Sequence, residues 1–366
     1  MSDLPTTRPA RTSMGEHTMR SRARTALAVT LIASLGLAAC GGSDKTTTTT
    51  TGSTPASGTG GKLSLVAFSV AKTATDAAIA AWQKTPEGAG MKFDESYGAS
   101  GDQSRAVVSG LPADVVHFSL ETDVTRLVKE GLVADDWSSG PTKGIVSDSV
   151  VVIAVRPGNP KHITGWDDLV KPGIGVITPN PASSGSARWN VLAAYGHVIA
   201  NGGTQADAET YLKQFFQNTV ALPGSGRDAT SAFVAGTGDV LISYENEAIL
   251  ARQQDQKLDY IVPDTTLLIQ NPSAVLKTAD PKAADWLKFE TGVAGQTEFA
   301  KVGFRPVAAG VKVDVTGAND PANPFPTPAK LLTIDKDFGG WAAAATKYFD
   351  ADNGIVSKIQ KDTGKT

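Results

Sequence analysis

The sequence predicts an α/β fold made of two similar units, and three observations carry this prediction. From Lys62 onward, short apolar runs of strand length alternate with amphipathic segments of helix length. This alternation occurs in residues 63–156 and again in residues 175–254. The chain has 366 residues, which is enough for two domains at roughly one domain per 150 residues. Alternating strands and helices with short connections favour mostly parallel sheets.

The predicted elements follow one another in two sets. Each set begins with an apolar strand, and a helix follows most of its strands. The first set has strands at residues 63–68, 92–96, 114–118 and 150–156. The second set has strands at residues 175–177, 220–222 and 239–244 and helices at residues 184–200, 205–216, 228–235 and 245–254. Two more helices are predicted at residues 339–349 and 354–360, and we expect them to pack across the first unit.

Residues 1–40 have the pattern of an export signal. Three arginines precede an apolar run at residues 26–37, and small residues then lead to Cys40, the only cysteine of the chain. The apolar run is shorter than the roughly 20 residues that a membrane-spanning helix needs. Residues 37–40 resemble a bacterial lipobox, which implies cleavage before Cys40 and acylation of its thiol; a plain secretion signal is the alternative. Residues 41–61, rich in Thr, Gly and Ser, are predicted to form a disordered tether.

Composition and motif content exclude several function classes. A formal net charge of -3 lacks the basic surplus that nucleic-acid binding needs. A single cysteine excludes a disulfide within the chain and a cysteine-based metal site, and we expect no metal and no other cofactor. Ser69 and Lys72 match the Ser-x-x-Lys pattern of penicillin-recognising enzymes. The companion motifs of those enzymes are absent from the sequence, so an extracytoplasmic serine hydrolase is the weaker hypothesis.

Three loops share a Gly/Ser composition, and each leads from a predicted strand into a predicted helix. They cover residues 97–104, 181–187 and 223–229. The N terminus of a helix exposes unpaired backbone N–H groups and about half a positive charge, so it can hold a small anion without a cation. Serine adds a hydroxyl donor, and glycine lets the backbone approach closely. Ser and Gly before a helix are also ordinary caps, so the prediction of an oxyanion site depends on the recurrence of these loops.

The same loops carry a family resemblance. The motifs are YGASGDQSR at residues 97–105, ITPNP at 177–181, GSARWN at 185–190, GDVLISYENE at 238–247 and FGGW at 338–341. Through these motifs the chain resembles the sulfate/thiosulfate-binding proteins of ABC importers, in a lipoprotein form. The resemblance implies a two-lobed type II periplasmic binding protein fold with mixed sheets and a hinge of two crossovers. It also implies a binding protein, not an enzyme, that closes on a dehydrated oxyanion held by neutral donors.

The resemblance implies ligand-binding roles for hydroxyl groups and for backbone N–H groups at helix starts. The implied ligand-binding residues are Ser100, Ser184, Gly185, Ser186, Gly226 and Tyr244. Ser186 replaces the second glycine of a Gly-Gly pair that is usual in the family. Tyr244 stands where close relatives carry a tryptophan, and its phenolic O–H would take the place of the indole N–H. These departures leave sulfate, thiosulfate, molybdate and tungstate open as ligands.

Charged residues near the loops are expected to brace them and not to touch the anion. Arg105, Arg188 and Arg227 would each pair with a nearby carboxylate or carbonyl group. Asp102 and Asp228 would lie in the first turns of their helices, where a negative charge complements the helix dipole.

The chain is expected to cross between the lobes near residues 153–156 and again near residues 259–262. Lobe I would contain residues 62–155 with 262–366, and lobe II residues 156–261. Anion binding would select a closed form that the permease subunits of an ABC importer recognise. We expect a monomer that binds no nucleic acid and is held at the cell membrane by its N-terminal lipid anchor. An adhesion or structural lipoprotein with the same fold is the alternative from another class.

Overall fold

Strands and helices alternate along residues 60–366, the part of the chain that the computed structural model describes. The export signal, Cys40 and most of the predicted tether lie outside the described residues. The strands are β1 (Lys62–Phe68), β2 (Lys92–Gly98), β3 (Val115–His117), β4 (Ile145–Val155), β5 (Val176–Ile177), β6 (Thr219–Ala221), β7 (Val240–Tyr244), β8 (Asp259–Ile261), β9 (Thr265–Val275) and β10 (Lys330–Leu332). The α-helices are α1 (Lys72–Trp82), α2 (Ser100–Val108), α3 (Glu121–Lys129), α4 (Gly185–Ala200), α5 (Gln205–Asn218), α6 (Gly226–Val234), α7 (Glu245–Gln253), α8 (Lys282–Thr291), α9 (Val293–Lys301), α10 (Ile334–Phe338), α11 (Gly340–Phe349) and α12 (Ile355–Thr363).

Six of the strands form two parallel groups. β1 pairs in parallel with both β2 and β3, and we call these three strands the first strand group. β5 pairs in parallel with both β6 and β7, which form the second strand group. A helix follows every strand of both groups, as parallel pairing requires, because the chain must return to the starting edge of the sheet. The α/β class predicted from the sequence is confirmed, and the predicted elements of both sets are present with slightly shifted ends.

Two long strands, β4 and β9, connect the two groups. β9 pairs in antiparallel fashion with β3 of the first group, and β4 pairs in the same fashion with β7 of the second. β4 and β9 also pair with each other, from Ile145 to Val150 of β4. The full order is therefore β2-β1-β3-β9-β4-β7-β5-β6, with antiparallel strands only in the middle. The expected mixed sheet with two crossover connections follows from this order.

The chain changes groups at positions that differ from those predicted. β4 pairs with β9 up to Val150 and with β7 from Val151 onward, which is earlier than the predicted crossing at residues 153–156. The return takes place inside β9 and not at β8, where residues 259–262 were expected to cross. Both β4 and β9 are single strands of 11 residues. In β4 the polar residues Ser147, Asp148 and Ser149 precede the apolar run of residues 150–155, and the pairing partner changes between the first two residues of this run.

The crossover strand β4 passes through the hydrophobic core. Every residue from Val150 to Val155 is buried, with at most 1% of its surface exposed. Val151, Ile153 and Val155 pack into one apolar cluster, and the alternate residues of the same stretch pack into a second. Side chains of a strand alternate between the two faces of the sheet, so both faces of β4 are covered. This burial explains why residues 150–155 of β4 are continuously apolar.

The C-terminal helices pack mainly against the helices of the second strand group, although α11 also contacts α3, which follows the first group. Residues 339–349 and 354–360 were expected to lie across the first unit. Instead, Trp341 of α11 contacts Trp189 of α4 edge to face, with ring centroids 4.5 Å apart. Tyr348 contacts Tyr195 of α4 in the same way at 5.0 Å. Edge-to-face aromatic pairs add stabilisation beyond the burial of their area, so the aromatic surface of α4 explains this packing against the helices of the second strand group.

Candidate anion-binding site

The site lies where the carboxyl ends of the two strand groups face each other. In a parallel group all carboxyl ends lie at one edge of the sheet, and ligands bind beyond that edge. The loop after β2 contacts the loop after β5, because the backbone N–H of Gly101 donates to the carbonyl oxygen of Ser183 at 3.2 Å. The loop after β3 contacts the end of β7 through a hydrogen bond of 2.7 Å between Ser119 Oγ and Tyr244 Oη. We call the region between these contacts the cleft.

Four helices begin at the cleft: α2, α4, α6 and α7. The N-cap residues of α2, α4 and α7, which are Ala99, Ser184 and Tyr244, make no side-chain cap hydrogen bond within the described part of the chain. Only Ser225 caps its helix, by accepting the backbone N–H of Asp228. The first N–H groups of a helix have no partner inside the helix. These helix starts therefore present backbone donors and positive dipole ends to the cleft.

Gly185 and Gly226 allow a close approach that no larger residue would permit. A Cβ atom on Gly185 would lie 2.5 Å from Ser119 Oγ and 2.9 Å from Leu120 Cγ. A Cβ atom on Gly226 would lie 2.8 Å from Ser186 Oγ. Both distances are well below a normal contact of about 3.5–4.0 Å. Gly185 thus brings the start of α4 against the loop after β3, and Gly226 brings the start of α6 against the start of α4.

The Ser100 hydroxyl is engaged inside the first strand group. Ser100 is 2% exposed, its hydroxyl donates to Asp123 Oδ2 at 2.6 Å, and its oxygen accepts the backbone N–H of Ser119 at 2.9 Å. Asp123 also forms an ion pair with Arg126 at 3.0 Å. A carboxylate has no proton to donate, so the Ser100 proton is committed to Asp123. This bonding differs from the expected hydroxyl donation to an anion and leaves Ser100 its position at the start of α2.

Ser184, Ser186 and Tyr244 line the opposite side of the cleft, and all three are buried. Burial raises the pKa of Tyr244 well above the usual value of a tyrosine, and hydrogen bonds to the side chains of Ser119, Ser186 and Asn271 only partly offset this effect. The phenol consequently keeps its proton at neutral pH and remains a donor. The structure thus brings together hydroxyl groups and helix starts from both strand groups, as the three-loop prediction requires.

The arginines near the site have partners of their own. Arg105 pairs with Asp102, and Arg188 Nε donates to the carbonyl oxygen of Pro181 at 3.0 Å. Arg227 pairs with Glu247 at 2.7 Å. The prediction that these arginines brace the loops is confirmed. Burial lowers the pKa of Arg188, with the charge of Asp123 acting in the opposite direction.

The nearby acidic residues also lie as predicted. Asp102 and Asp228 are exposed residues in the first turns of α2 and α6, and Asp228 accepts a hydrogen bond of 2.7 Å from Ser225 Oγ. Lys72 pairs with Asp76 at 2.9 Å. The lysine of the Ser-x-x-Lys pattern is therefore bound to a carboxylate on its own helix.

Two residues of the cleft were missed by the sequence analysis: Ser119 and Asp123. Ser119 follows β3 at the same sheet edge as the predicted loops, but no glycine accompanies it, so it lacks the composition that marked the other loops. Asp123 lies in the first turn of α3, where a carboxylate usually needs no explanation beyond the helix dipole. The edge position of Ser119 is the signal that could have identified it.

The described residues show neither a metal cluster nor a membrane span. Among residues 60–366, no group of three or more His, Cys, Asp or Glu side chains is placed to hold a metal ion. In the same residues, no helix combines the length and the apolar character needed to cross a bilayer.

Two α/β halves that are joined by two long strands and meet at a cleft of helix N termini define a solute-binding protein of the two-lobed type. The chain belongs to the family described as bacterial extracellular solute-binding protein, whose model matches residues 63–305. The predicted type II periplasmic binding protein fold is confirmed. A solved structure with 17% identity and a TM-score of 0.61, the periplasmic binding protein AfuA from Actinobacillus pleuropneumoniae, has the same fold.

Within this family, the chain is most informatively compared with proteins named for sulfate or thiosulfate. It is 38% identical to a sulfate-binding protein of Synechococcus elongatus, over 89% of this chain and 92% of the relative. It is 32% identical to a thiosulfate-binding protein of Pseudomonas aeruginosa, over 75% of this chain and 84% of the relative. The solved structure of the sulfate-binding protein SubI from Mycobacterium tuberculosis matches with 45% identity and a TM-score of 0.74, covering 79% of this chain and 99% of that one. The predicted resemblance to sulfate/thiosulfate-binding proteins is confirmed, while the lipoprotein form stays a prediction; the relatives are named for binding and not for catalysis.

Proposed function

We propose that the protein captures sulfate, or thiosulfate, in the cleft and delivers it to an ABC importer. The observation that carries this proposal is the meeting of uncapped helix starts and buried hydroxyl groups at one place, while the nearby arginines are all engaged elsewhere. A dianion in such a site is held by neutral donors and by the positive ends of helix dipoles. The names of the relatives at 32–45% identity support sulfate and thiosulfate as the ligands.

The proposed anion ligands come from both strand groups. The donors in the second group are the hydroxyl groups of Ser184 and Ser186, the first N–H groups of α4 at Gly185 and of α6 at Gly226, and the phenol of Tyr244. In the first group, Ser100 supplies the backbone at the start of α2, since its hydroxyl is bonded to Asp123. The proposed lobes are residues 62–155 with 262–366 and residues 156–261, and the strand pairing supports boundaries somewhat earlier, at Val150 of β4, and somewhat later, inside β9. Packing of α11 against α4 and against α3 makes the C-terminal segment a bridge between the two lobes.

A site built from donors discriminates between sulfate and phosphate. Sulfate is fully deprotonated at neutral pH, whereas phosphate keeps a proton that would face an N–H or O–H group. An unmet polar contact of this kind costs about 1–3 kcal/mol. Asp102 and Asp228 are exposed and so are not placed to accept that proton. We therefore expect phosphate to be excluded. Molybdate and tungstate share the tetrahedral dianionic shape of sulfate and are the alternative ligands.

The proposed place of action is the outer face of the cell membrane. The family is extracellular by its description, and the proposed anchor is an acyl group on Cys40, followed by the tether of residues 41–61. We propose that the monomer presents its closed form to the permease subunits of the importer. Replacing Cys40 by serine should move the protein from the membrane fraction to the soluble fraction. A variant that stays in the membrane fraction would contradict anchoring through this cysteine.

The ligand is tested by calorimetric titration of the purified full-length chain, in mild detergent and an anion-poor buffer, with sulfate, thiosulfate, molybdate and phosphate. We expect one bound sulfate or thiosulfate per chain and no heat from phosphate. Heat from molybdate alone would select the alternative ligand class. The absence of heat from every oxyanion would overturn the proposal.

A further inference from the structure

Ser119 connects both strand groups through all of its polar groups. It is 1% exposed and lies directly after β3. Its backbone N–H donates to Ser100 Oγ, and its carbonyl oxygen accepts from Trp189 Nε1 at 2.9 Å and from Asn271 Nδ2 at 3.1 Å. Its hydroxyl is bonded to Tyr244 Oη at 2.7 Å. The backbone of Ser119 is therefore held from several sides, and its hydroxyl faces the second strand group.

The bond between Ser119 and Tyr244 leaves one proton for a ligand. Each of the two hydroxyl groups carries one proton, and either oxygen can be the donor in their mutual bond. That bond uses one of the two protons. Tyr244 keeps its proton at neutral pH because burial raises its pKa. The second O–H of this hydroxyl pair can therefore reach a third group, either the side chains of Ser186 and Asn271 beside Tyr244 or a ligand that takes their place.

The hydroxyl pair lies beside the start of α4. Ser119 Oγ is 2.5 Å from the point that a Cβ atom on Gly185 would occupy, so it is adjacent to the first turn of that helix. In contrast, the proton of Ser100 is committed to a carboxylate at 2.6 Å. Of the two serines from the first strand group at this place, Ser119 is therefore the one with a hydroxyl that can take part in donation to the cleft.

We propose that Ser119 is an anion-binding residue, which acts with Tyr244 as a hydroxyl pair that gives one shared O–H donor to the bound oxyanion. This inference rests on the proposed function and adds a residue to it. The shared donor comes from both strand groups, since Ser119 belongs to the first and Tyr244 to the second. An anion that binds to the hydroxyl pair thereby holds the two groups together. This chemistry requires the tyrosine, because a tryptophan at position 244 would have an N–H but no acceptor for the serine.

The test is a double-mutant cycle on sulfate affinity with Ser119→Ala, Tyr244→Phe and the double variant, measured calorimetrically on the full-length chain. We expect each single variant to weaken sulfate binding about 10- to 100-fold, the range for a hydrogen bond to a charged group. Because either substitution breaks the same hydroxyl pair and leaves the remaining O–H without the partner that orients it, the double variant should lose much less than the product of the two single effects. Thr219→Val, which removes a hydroxyl bonded to the Phe215 carbonyl oxygen away from the cleft, is the control and should bind sulfate normally.

The outcomes separate this inference from the proposed function. Sulfate binding by the wild type together with unchanged affinity in Ser119→Ala would overturn the role of Ser119 alone. Single effects that multiply in the double variant would show two independent donors and would overturn the shared-donor arrangement. A wild-type chain that binds no oxyanion would overturn both proposals. If the alanine variant does not fold, Ser119→Cys keeps the size of the side chain with a weak donor and should show the same loss of affinity.

Discussion

Replacing Gly185 by alanine should weaken anion binding by closing the space in which the two strand groups meet. The new Cβ atom would lie 2.5 Å from Ser119 Oγ, 2.6 Å from Ser119 Cβ and 2.9 Å from Leu120 Cγ. These distances are about 1 Å shorter than normal contacts. All three atoms belong to the loop after β3, so separation of the two groups relieves the overlap. The cost therefore falls on the closed form and not on either group alone.

The size of the effect follows from the usual cost of overpacking, about 1–3 kcal/mol. A cost of this size corresponds to a loss of about 5- to 150-fold in sulfate affinity, because a less populated closed form lowers the apparent affinity by the same factor. Gly224→Ala is the matched control in a neighbouring loop, since its Cβ would meet nothing closer than Asp228 Oδ2 at 3.9 Å. The assay is calorimetric titration with sulfate, combined with thermal unfolding without the anion. Equal affinity in the two glycine variants would refute the reasoning.

Two further predictions concern stability. Arg227→Ala should lower the free energy of unfolding by about 2–4 kcal/mol, because it leaves the Glu247 carboxylate, which is only 2% exposed, without its ion partner. The control Arg105→Ala, in an exposed ion pair, should lower it by less than about 1 kcal/mol. Equal losses for the two variants in urea unfolding would contradict this difference. Burial raises the pKa of Asp148 from 3.8 to about 7, against the opposing effects of Gln270 and Arg305. The folded state then binds more protons than the unfolded state between these values, so this carboxyl favours folding at low pH and its contribution is lost as the pH rises to about 7. Asp148→Asn should remove this part of the pH dependence of the thermal unfolding midpoint. The control Asp136→Asn, at an exposed position, should keep it. An unchanged dependence of the midpoint on pH in Asp148→Asn would contradict the raised pKa of Asp148.

The sequence was sufficient for the elements and for the three Gly/Ser loops, one in the first strand group and two in the second. Apolar periodicity placed the strands and helices, and the Gly/Ser composition marked the starts of α2, α4 and α6, because these features depend on residues close together in the chain. Contacts between distant residues were not predictable in this way. Ser119 and Tyr244 are 125 positions apart, and their hydrogen bond exists only because two separate strand groups meet.

Local patterns also gave no indication of competing partners. The Ser100 hydroxyl was expected to face the anion, but Asp123 lies close enough to accept its proton. The partner change within β4 falls between Val150 and Val151, which are both fully buried, so the apolar pattern does not separate them. The packing of Trp341 against Trp189 depends on two aromatic side chains that the sequence does not relate to each other. In each case the deciding contact is tertiary.

The central claim is that a tetrahedral dianion is held in the cleft by neutral donors. The most direct test is a crystal structure of the protein with selenate, a tetrahedral dianion whose selenium can be located by anomalous scattering. We expect one selenium peak in the cleft, beside the Ser119–Tyr244 pair and the starts of α4 and α6 at Gly185 and Gly226. A peak beside the exposed side chains of Lys72 or Arg105, with none in the cleft, would contradict it.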